Sequence, residues 1–177
     1  ASHGYSHEMC TELQGEQLSQ DLERSKKLLE DILGTQVNGY RAPNFSVTPR
    51  ILEAVRATGY RYDSSYNSFS LNARYGRIDF SGLPRFGSAF RIEPDFFEIP
   101  VSNYHFSRRI VPLGGGGYFR LFPWFFFRMG IRRILELEGT YMFYFHPWEI
   151  DPLQPKIRKR FRMADFKHYI NISRTEK

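Results

Sequence analysis

The chain has 177 residues, 41% of them apolar and 25% charged, with a net charge of +6; these are the proportions of a globular protein able to bury a core, not of a disordered or collagenous chain. A lone cysteine, Cys10, excludes an internal disulfide framework. The longest apolar run, residues 121–127, is too short to span a bilayer and contains Pro123, so no transmembrane segment is expected and the whole of 1–177 reads as one domain.

His3 and His7 come first, in the run Ser2-His3-Gly4-Tyr5-Ser6-His7-Glu8. Two imidazoles four positions apart, with a glycine and a hydroxyl between them, can turn their ring nitrogens toward one divalent cation such as zinc. A hydrolytic zinc site usually has three protein ligands and one open position, so the pair reads as half of a site. The competing reading is a surface or capping pair with no ligand. Leu18, Leu22, Leu29 and Ile32 then recur at helical spacing, with Gly34 placed to end the helix. Residues 37–41 read as a strand running into the loop Ala42-Pro43-Asn44-Phe45-Ser46. Thr48-Pro49 is a cap followed by proline at the first helical position; Ile51, Leu52 and Val55 mark a buried stripe, and Gly59 closes the helix. Residues 60–62 resume as a strand ending at Asp63. Helix, strand, helix, strand in this order implies parallel strands with helical crossovers.

From Tyr66 to Arg91 the pattern dissolves into a long excursion, and residues 96–101 form the next strand. Gly114 to Gly117 lack the Lys-Ser/Thr of a phosphate-binding loop and read as a plain turn. A helix rich in aromatic residues is expected over 123–137. The unbroken apolar run Tyr141-Met142-Phe143-Tyr144-Phe145 predicts a strand covered on both faces, delivering His146 at its C-terminal end. Catalytic groups collect at that end of parallel strands, and Arg41, Asp63 and His146 each stand there. The basic stretch 156–162 carries five Lys or Arg residues and reads as a solvated loop, with an anionic polysaccharide, a lipid surface or nucleic acid as other readings.

Ser-His-Gly-Tyr-Ser-His at 2–7, Tyr-Arg-Ala-Pro-Asn-Phe-Ser at 40–46, Tyr-Asp-Ser-Ser at 62–65 and Phe-His-Pro-Trp-Glu-Ile-Asp-Pro at 145–152 together resemble the polysaccharide deacetylase family, the group with the NodB homology domain, also called carbohydrate esterase family 4. Gly-Gly-Gly-Tyr-Phe-Arg at 115–120 and the His-Pro-Trp-Glu block are similar to the branch that accompanies bacterial exopolysaccharide and exosortase gene clusters. The resemblance implies a distorted (β/α) barrel in which His3 and His7 hold zinc or a similar ion. It implies His146 as general acid, Arg41 as the arginine that orients the catalytic aspartate, and Asp63 as a strand-end acid of variable role. Pro43, Asn44 and Phe45 fall in the groove-wall loop, with Asn44 where many members carry an aromatic residue. The family's first motif, an Asp pair giving the base and third metal ligand, has no match here. Glu149 and Asp151 stand in the wrong place for it and would belong to the outer wall. The expectation is a fragment that starts after the first strand and lacks a final helix.

The activity so implied is removal of N-acetyl groups from amino sugars of a polysaccharide, releasing acetate and a free amine, with the chain as given inactive for want of its base. Tyr5, Phe45 and Trp148 are candidate stacking surfaces for sugar rings, although core packing is the alternative for each. Two other functions stay open: hydrolysis of a small cyclic amide on the same fold, and carbohydrate binding without catalysis. A nucleic-acid partner rests on charge alone and is not expected. The compartment is open between cytoplasm and envelope, with the cytoplasm favoured.

Overall fold

The computed structural model describes residues 1–69, 76–107, 109–155 and 168–175, so the basic stretch after Lys156 lies outside the described residues. The chain is mixed α/β and divides into two units, Ala1–Val101 and Ser102–Lys177.

In the first unit, α1 (Gly15–Leu33) buries Leu18, Leu22 and Ser25 on one face and ends at Gly34, whose φ of 64° is the left-handed turn that glycine adopts without strain. Ile32, expected in the stripe, instead lies 70% exposed, with Leu28 and Leu33 of the same last turns also exposed. Lys26 ties the helix to the segment leading into the sheet: its Nζ donates to Glu30 and to the Val37 carbonyl, while Glu30 accepts from the Val37 amide. β1 (Gly39–Tyr40), α2 (Pro49–Ala57) and β2 (Tyr62–Asp63) come next. Thr48 caps α2 by accepting from the Ile51 amide, and Ile51, Leu52 and Val55 turn inward as the spacing predicts.

Two strands lie inside the region that reads as an excursion: β3 (Arg85–Phe86) and β4 (Ala89–Glu93). Arginine and glycine obscure them, yet those arginines hold the hairpin. The Arg91 guanidinium sits 4.7 Å from the Phe86 ring centre and 5.7 Å from that of Phe97, and Arg85 lies 5.1 Å from Phe90. With β5 (Phe96–Glu98) they complete one sheet of order β1-β2-β5-β4-β3, parallel across the first three strands and antiparallel beyond. Among the described residues this sheet is open, and the expected barrel is not closed. The core beneath it joins Leu18, Leu22, Val37, Tyr40, Ile51, Val55 and Phe96.

The second unit opens with an antiparallel hairpin, β6 (Asn103–Phe106) and β7 (Arg109–Pro112), followed by α3 (Gly116–Leu121) and α4 (Trp124–Glu138). Leu113, Phe127 and Ile134 form its core, with the Phe119 ring edge-on to Phe127 at 5.2 Å. Residues 141–145 are not the doubly covered strand expected from their apolar run. Their backbone pairs with Ser102 and with the glycine run, Tyr144 donating to Gly114 and accepting from Gly116, while the Tyr141 hydroxyl donates to the Leu113 carbonyl and Phe145 is 54% exposed. The run is apolar because Tyr141 and Phe143 pack on the Leu113–Phe127 cluster, not because two layers cover it.

Gly130 tests this packing. A methyl group there would gain helix propensity of about 1 kcal/mol, but would lie 2.2 Å from a Leu113 methyl carbon in the core. Overpacking costs about 1–3 kcal/mol and outweighs that gain. Gly130→Ala is expected to lower the urea-unfolding midpoint, with a net loss of about 1 kcal/mol.

Candidate functional site

The position of His3 follows from backbone pairing. Ser2 lies alongside Tyr40 in a parallel bridge: its amide donates to the Gly39 carbonyl at 2.8 Å, and its carbonyl accepts from the Arg41 amide at 2.9 Å. Ser2 faces inward, where its Oγ meets Ser25 Oγ at 2.8 Å, so His3 faces outward beside Arg41. Its Nδ1 lies 2.6 Å from the Arg41 carbonyl oxygen. A carbonyl only accepts, so Nδ1 carries the hydrogen and Nε2 keeps its lone pair, the arrangement by which outer partners orient a metal-binding imidazole. His7 comes back onto His3 through a tight loop: Gly4 has φ 78°, His7 itself φ 58°, and Asp21 accepts from the amides of Tyr5 and Ser6 at 2.9 and 2.7 Å. The two rings are edge to face with centres 5.0 Å apart. As donors the pair fits two positions of a divalent cation; among the described residues no group of three His, Cys, Asp or Glu side chains stands ready to enclose one.

Arg41 points from the end of β1 toward the end of β2, where its Nε donates to the Ser64 carbonyl at 2.7 Å and its Nη2 to Ser64 Oγ at 2.6 Å. It thereby ties the two strand ends together, and the next residues tie the loop that carries Pro43, Asn44 and Phe45: the Ala42 amide donates to Ser65 Oγ at 2.7 Å. Asn44 and Phe45 hold φ of 54° and 56°, an unusual left-handed pair for residues with side chains. The turn buries Pro43 and Phe45 and leaves Asn44 exposed, so Phe45 is packing, with Arg41 over its ring at 5.8 Å. Beneath it, Ser46 Oγ accepts from the Cys10 amide, and the Cys10 thiol meets the Tyr40 hydroxyl at 3.2 Å. Cys10 is buried, and burial raises its thiol pKa.

Asp63 is fully buried at the end of β2 and accepts from the amide and hydroxyl of Ser65, each at 2.8 Å. Directly across on β5 stands Glu98, equally buried, whose Oε1 accepts from the Tyr66 amide at 2.8 Å. Burial raises the pKa of both acids. For Asp63 the hydrogen bonds of Glu98 and Ser65 and the Arg41 charge work against it, whereas Glu98 is pushed well above its ordinary range by burial and then by the Asp63 charge. The pair is therefore held toward a protonated state, Glu98 the more strongly because the Asp63 charge adds to its burial. Glu98 Oε2 finds no hydrogen-bond partner among the described residues, which an ionised oxygen would tolerate poorly.

In the second unit, His146 precedes a short 3-10 turn over Pro147–Ile150. Its ring stacks on Trp148, centres 4.3 Å apart and planes 20° from parallel. Trp148 is 44% exposed, and its ring also lies 6.4 Å from that of His168. Glu149, placed by resemblance on an outer wall, is instead 8% exposed and paired with Arg120, Nη1 to Oε1 3.4 Å. Sequence reading missed Asp21, Ser64, Glu98 and Arg120 as parts of the supporting structure. Two of them carried a signal, Ser64 within the Tyr-Asp-Ser-Ser run and Arg120 as the last residue of the Gly-Gly-Gly-Tyr-Phe-Arg run.

The polysaccharide deacetylase family model matches residues 1–62, and the model of a domain of unknown function, DUF3473, matches residues 64–177. Peptidoglycan deacetylase-like protein FGM2 of Gibberella zeae is 32% identical over 84 residues, covering 48% of this chain and 24% of that protein. A crystal structure from Mycobacterium smegmatis named "putative polysaccharide deacetylase" superposes with a TM-score of 0.52 at 18% identity, over 82% of this chain and 48% of that one. The chain thus spans about a quarter of the first relative and about half of the second. The chain belongs to the DUF3473 family over residues 64–177, and its residues 1–62 match a polysaccharide deacetylase domain. No helix among the described residues is long and apolar enough to cross a membrane.

The Asp63–Glu98 pair has a pH signature. An unfolded glutamate releases its proton near pH 4.5, whereas folded Glu98 keeps it to higher pH. Folding therefore loses stability as pH rises from 4.5 through the folded value. Glu98→Gln is uncharged at every pH and keeps the acceptor for Tyr66. Its melting temperature is expected to match the parent near pH 4.5 and to exceed it at pH 8, read by calorimetry at both.

Proposed function

We infer that the protein is a metal-dependent hydrolase that removes N-acetyl groups from the amino sugars of a polysaccharide, with an exopolysaccharide as its substrate class. The observation that carries this is the His3–His7 pair with His3 Nδ1 anchored on the Arg41 carbonyl, which makes Nε2 the nitrogen whose lone pair can ligate. His3 and His7 would hold the ion, zinc by the chemistry of an imidazole donor set. When bound, such an ion polarises an acetyl carbonyl and makes hydroxide available near neutral pH.

The base that takes the water's proton has no match in this chain; other roles fall to its own side chains. Arg41 ties its strand end to Ser64, and the Ala42 amide ties the 42–46 loop to Ser65, so that the loop wall keeps one shape against a sugar. Asp63 is the buried acid whose charged form the Arg41 guanidinium favours against the cost of burial. His146 delivers a proton to the departing amine, a task that suits an imidazole at neutral pH. Trp148, exposed and stacked on that ring, offers an apolar face for a pyranose. Asn44 is the exposed member of its loop and is assigned to substrate contact.

The test is acetate release from oligomers of N-acetylglucosamine by the complete protein. His146→Ala is expected to lower kcat by about 100-fold or more, the scale of a lost general acid. His3→Ala and His7→Ala are each expected to remove bound metal, read by elemental mass spectrometry, together with turnover. Full activity in His3→Ala, or hydrolysis of cyclic amides in place of N-acetyl sugars, would sink the reading.

A further inference from the structure

The core of the second unit uses only one side of α4. Phe127, Gly130 and Ile134 turn inward, whereas Trp124, Phe125 and Met129 are 58%, 73% and 59% exposed. These three are neighbours on the helix surface, since Met129 stands one turn beyond Phe125 and Trp124 adjoins them. A groove of about 920 Å³ runs between the helix and the β6–β7 hairpin, and Phe106, 63% exposed, lines it from the hairpin side. Single apolar side chains on a surface need no explanation, but four large ones gathered along one open groove mark a place of contact.

The charged groups of the groove are mostly cationic. Arg109, Arg128, Arg132 and Arg133 line it beside Glu136, and Arg133 already holds that acid at 2.9 Å. Arg109, Arg128 and Arg132 have no acidic partner among the described residues. Arg128 stands one turn beyond Trp124, and Arg132 one turn beyond Arg128, so the guanidinium groups flank the aromatic face instead of lying behind it.

An occupant that fits must join negative charge to hydrocarbon. A guanidinium only donates hydrogen bonds, so with Glu136 engaged the groove has little to accept the hydroxyl hydrogens of a sugar chain. A lipid phosphate accepts from guanidinium, and its acyl chains meet aromatic and methionine side chains without loss. With 15 residues and arginines at 128, 132 and 133, α4 can lie along a bilayer but not cross it.

We propose that α4 and the β6–β7 hairpin form a docking surface for an anionic phospholipid bilayer. Phe106, Trp124, Phe125 and Met129 enter the headgroup boundary, and Arg109, Arg128 and Arg132 meet lipid phosphates, their long stems letting the charges stay at headgroup level while the rings sit deeper. Docking of this kind is independent of the chemistry assigned to His3, His7 and His146.

Flotation of the complete protein with lipid vesicles tests it. Binding is expected to an equal mixture of phosphatidylcholine and phosphatidylglycerol, to weaken as salt is raised, and to be absent with phosphatidylcholine alone. One arginine near an anionic surface is worth roughly fivefold in partitioning, so the combined variant Arg109→Gln, Arg128→Gln, Arg132→Gln is expected to bind roughly 100-fold more weakly. Phe125→Ser keeps every charge and should bind roughly 10-fold more weakly through lost apolar burial. Tryptophan emission should move to shorter wavelength when the parent meets the mixed vesicles, and Trp124→Phe should lose that shift while still floating. Each substituted position is exposed, so the circular dichroism of the variants is expected to match the parent's. No flotation of the parent, flotation that ignores lipid charge, or variants that float as the parent does would overturn the proposal. So would capture by polygalacturonate through the same arginines without affinity for vesicles, which would make the groove a polysaccharide site.

Discussion

The register of Ser2 against β1 is the constraint on which the chemistry of the first unit depends. Two backbone hydrogen bonds and the Ser2–Ser25 hydroxyl contact fix it, each worth about 1 kcal/mol net. A slip of one residue would turn His3 into the core and Ser2 outward, since side chains alternate along an extended segment. From the correct register the site assembles in short steps. His3 falls beside the Arg41 carbonyl, the Gly4 turn brings His7 back across it, and Asp21 holds that turn through two amides.

Among the described residues each unit holds a buried charge arrangement, and the two are built on opposite principles. In the first, two carboxyls face each other across paired parallel strands, and burial with mutual repulsion raises the pKa of the pair, that of Glu98 most. In the second, Arg120 meets an ionised Glu149. Acid therefore acts on them in opposite senses: protonation suits the Asp63–Glu98 pair, whereas falling pH removes the contribution of Glu149 as it passes through that residue's lowered value.

Much of this was readable from the residues. The helix stop at Gly34, the Thr48-Pro49 start and the strand ends at Arg41 and Asp63 carry local physical signatures, and the structure has each in place. What escaped reading depends on partners distant in sequence. β3 and β4 are held by arginine stacked on aromatic rings, which composition registers as polarity. Glu98 looks like an ordinary strand acid until β2 is laid beside it, and Glu149 looks like a surface acid until Arg120, 29 positions earlier in the numbering, is folded against it. The apolar run before His146 misled in the other direction, since contact with a single cluster was enough to demand it. The arrangement of His3, His7 and Arg41 was legible as a set of residue types, but the carbonyl that orients His3 belongs to the backbone and has no letter in the sequence.

Cys10 lies beneath the loop that carries this chemistry, with its amide on Ser46 and its thiol on Tyr40. Shielded and with its ionisation suppressed, it is inert while the native packing holds. A thiol-reactive label would accordingly act as a clock, marking each molecule in which the floor under the histidine loop has come open. As the sequence contains no other cysteine, every modified mass would report on that one place.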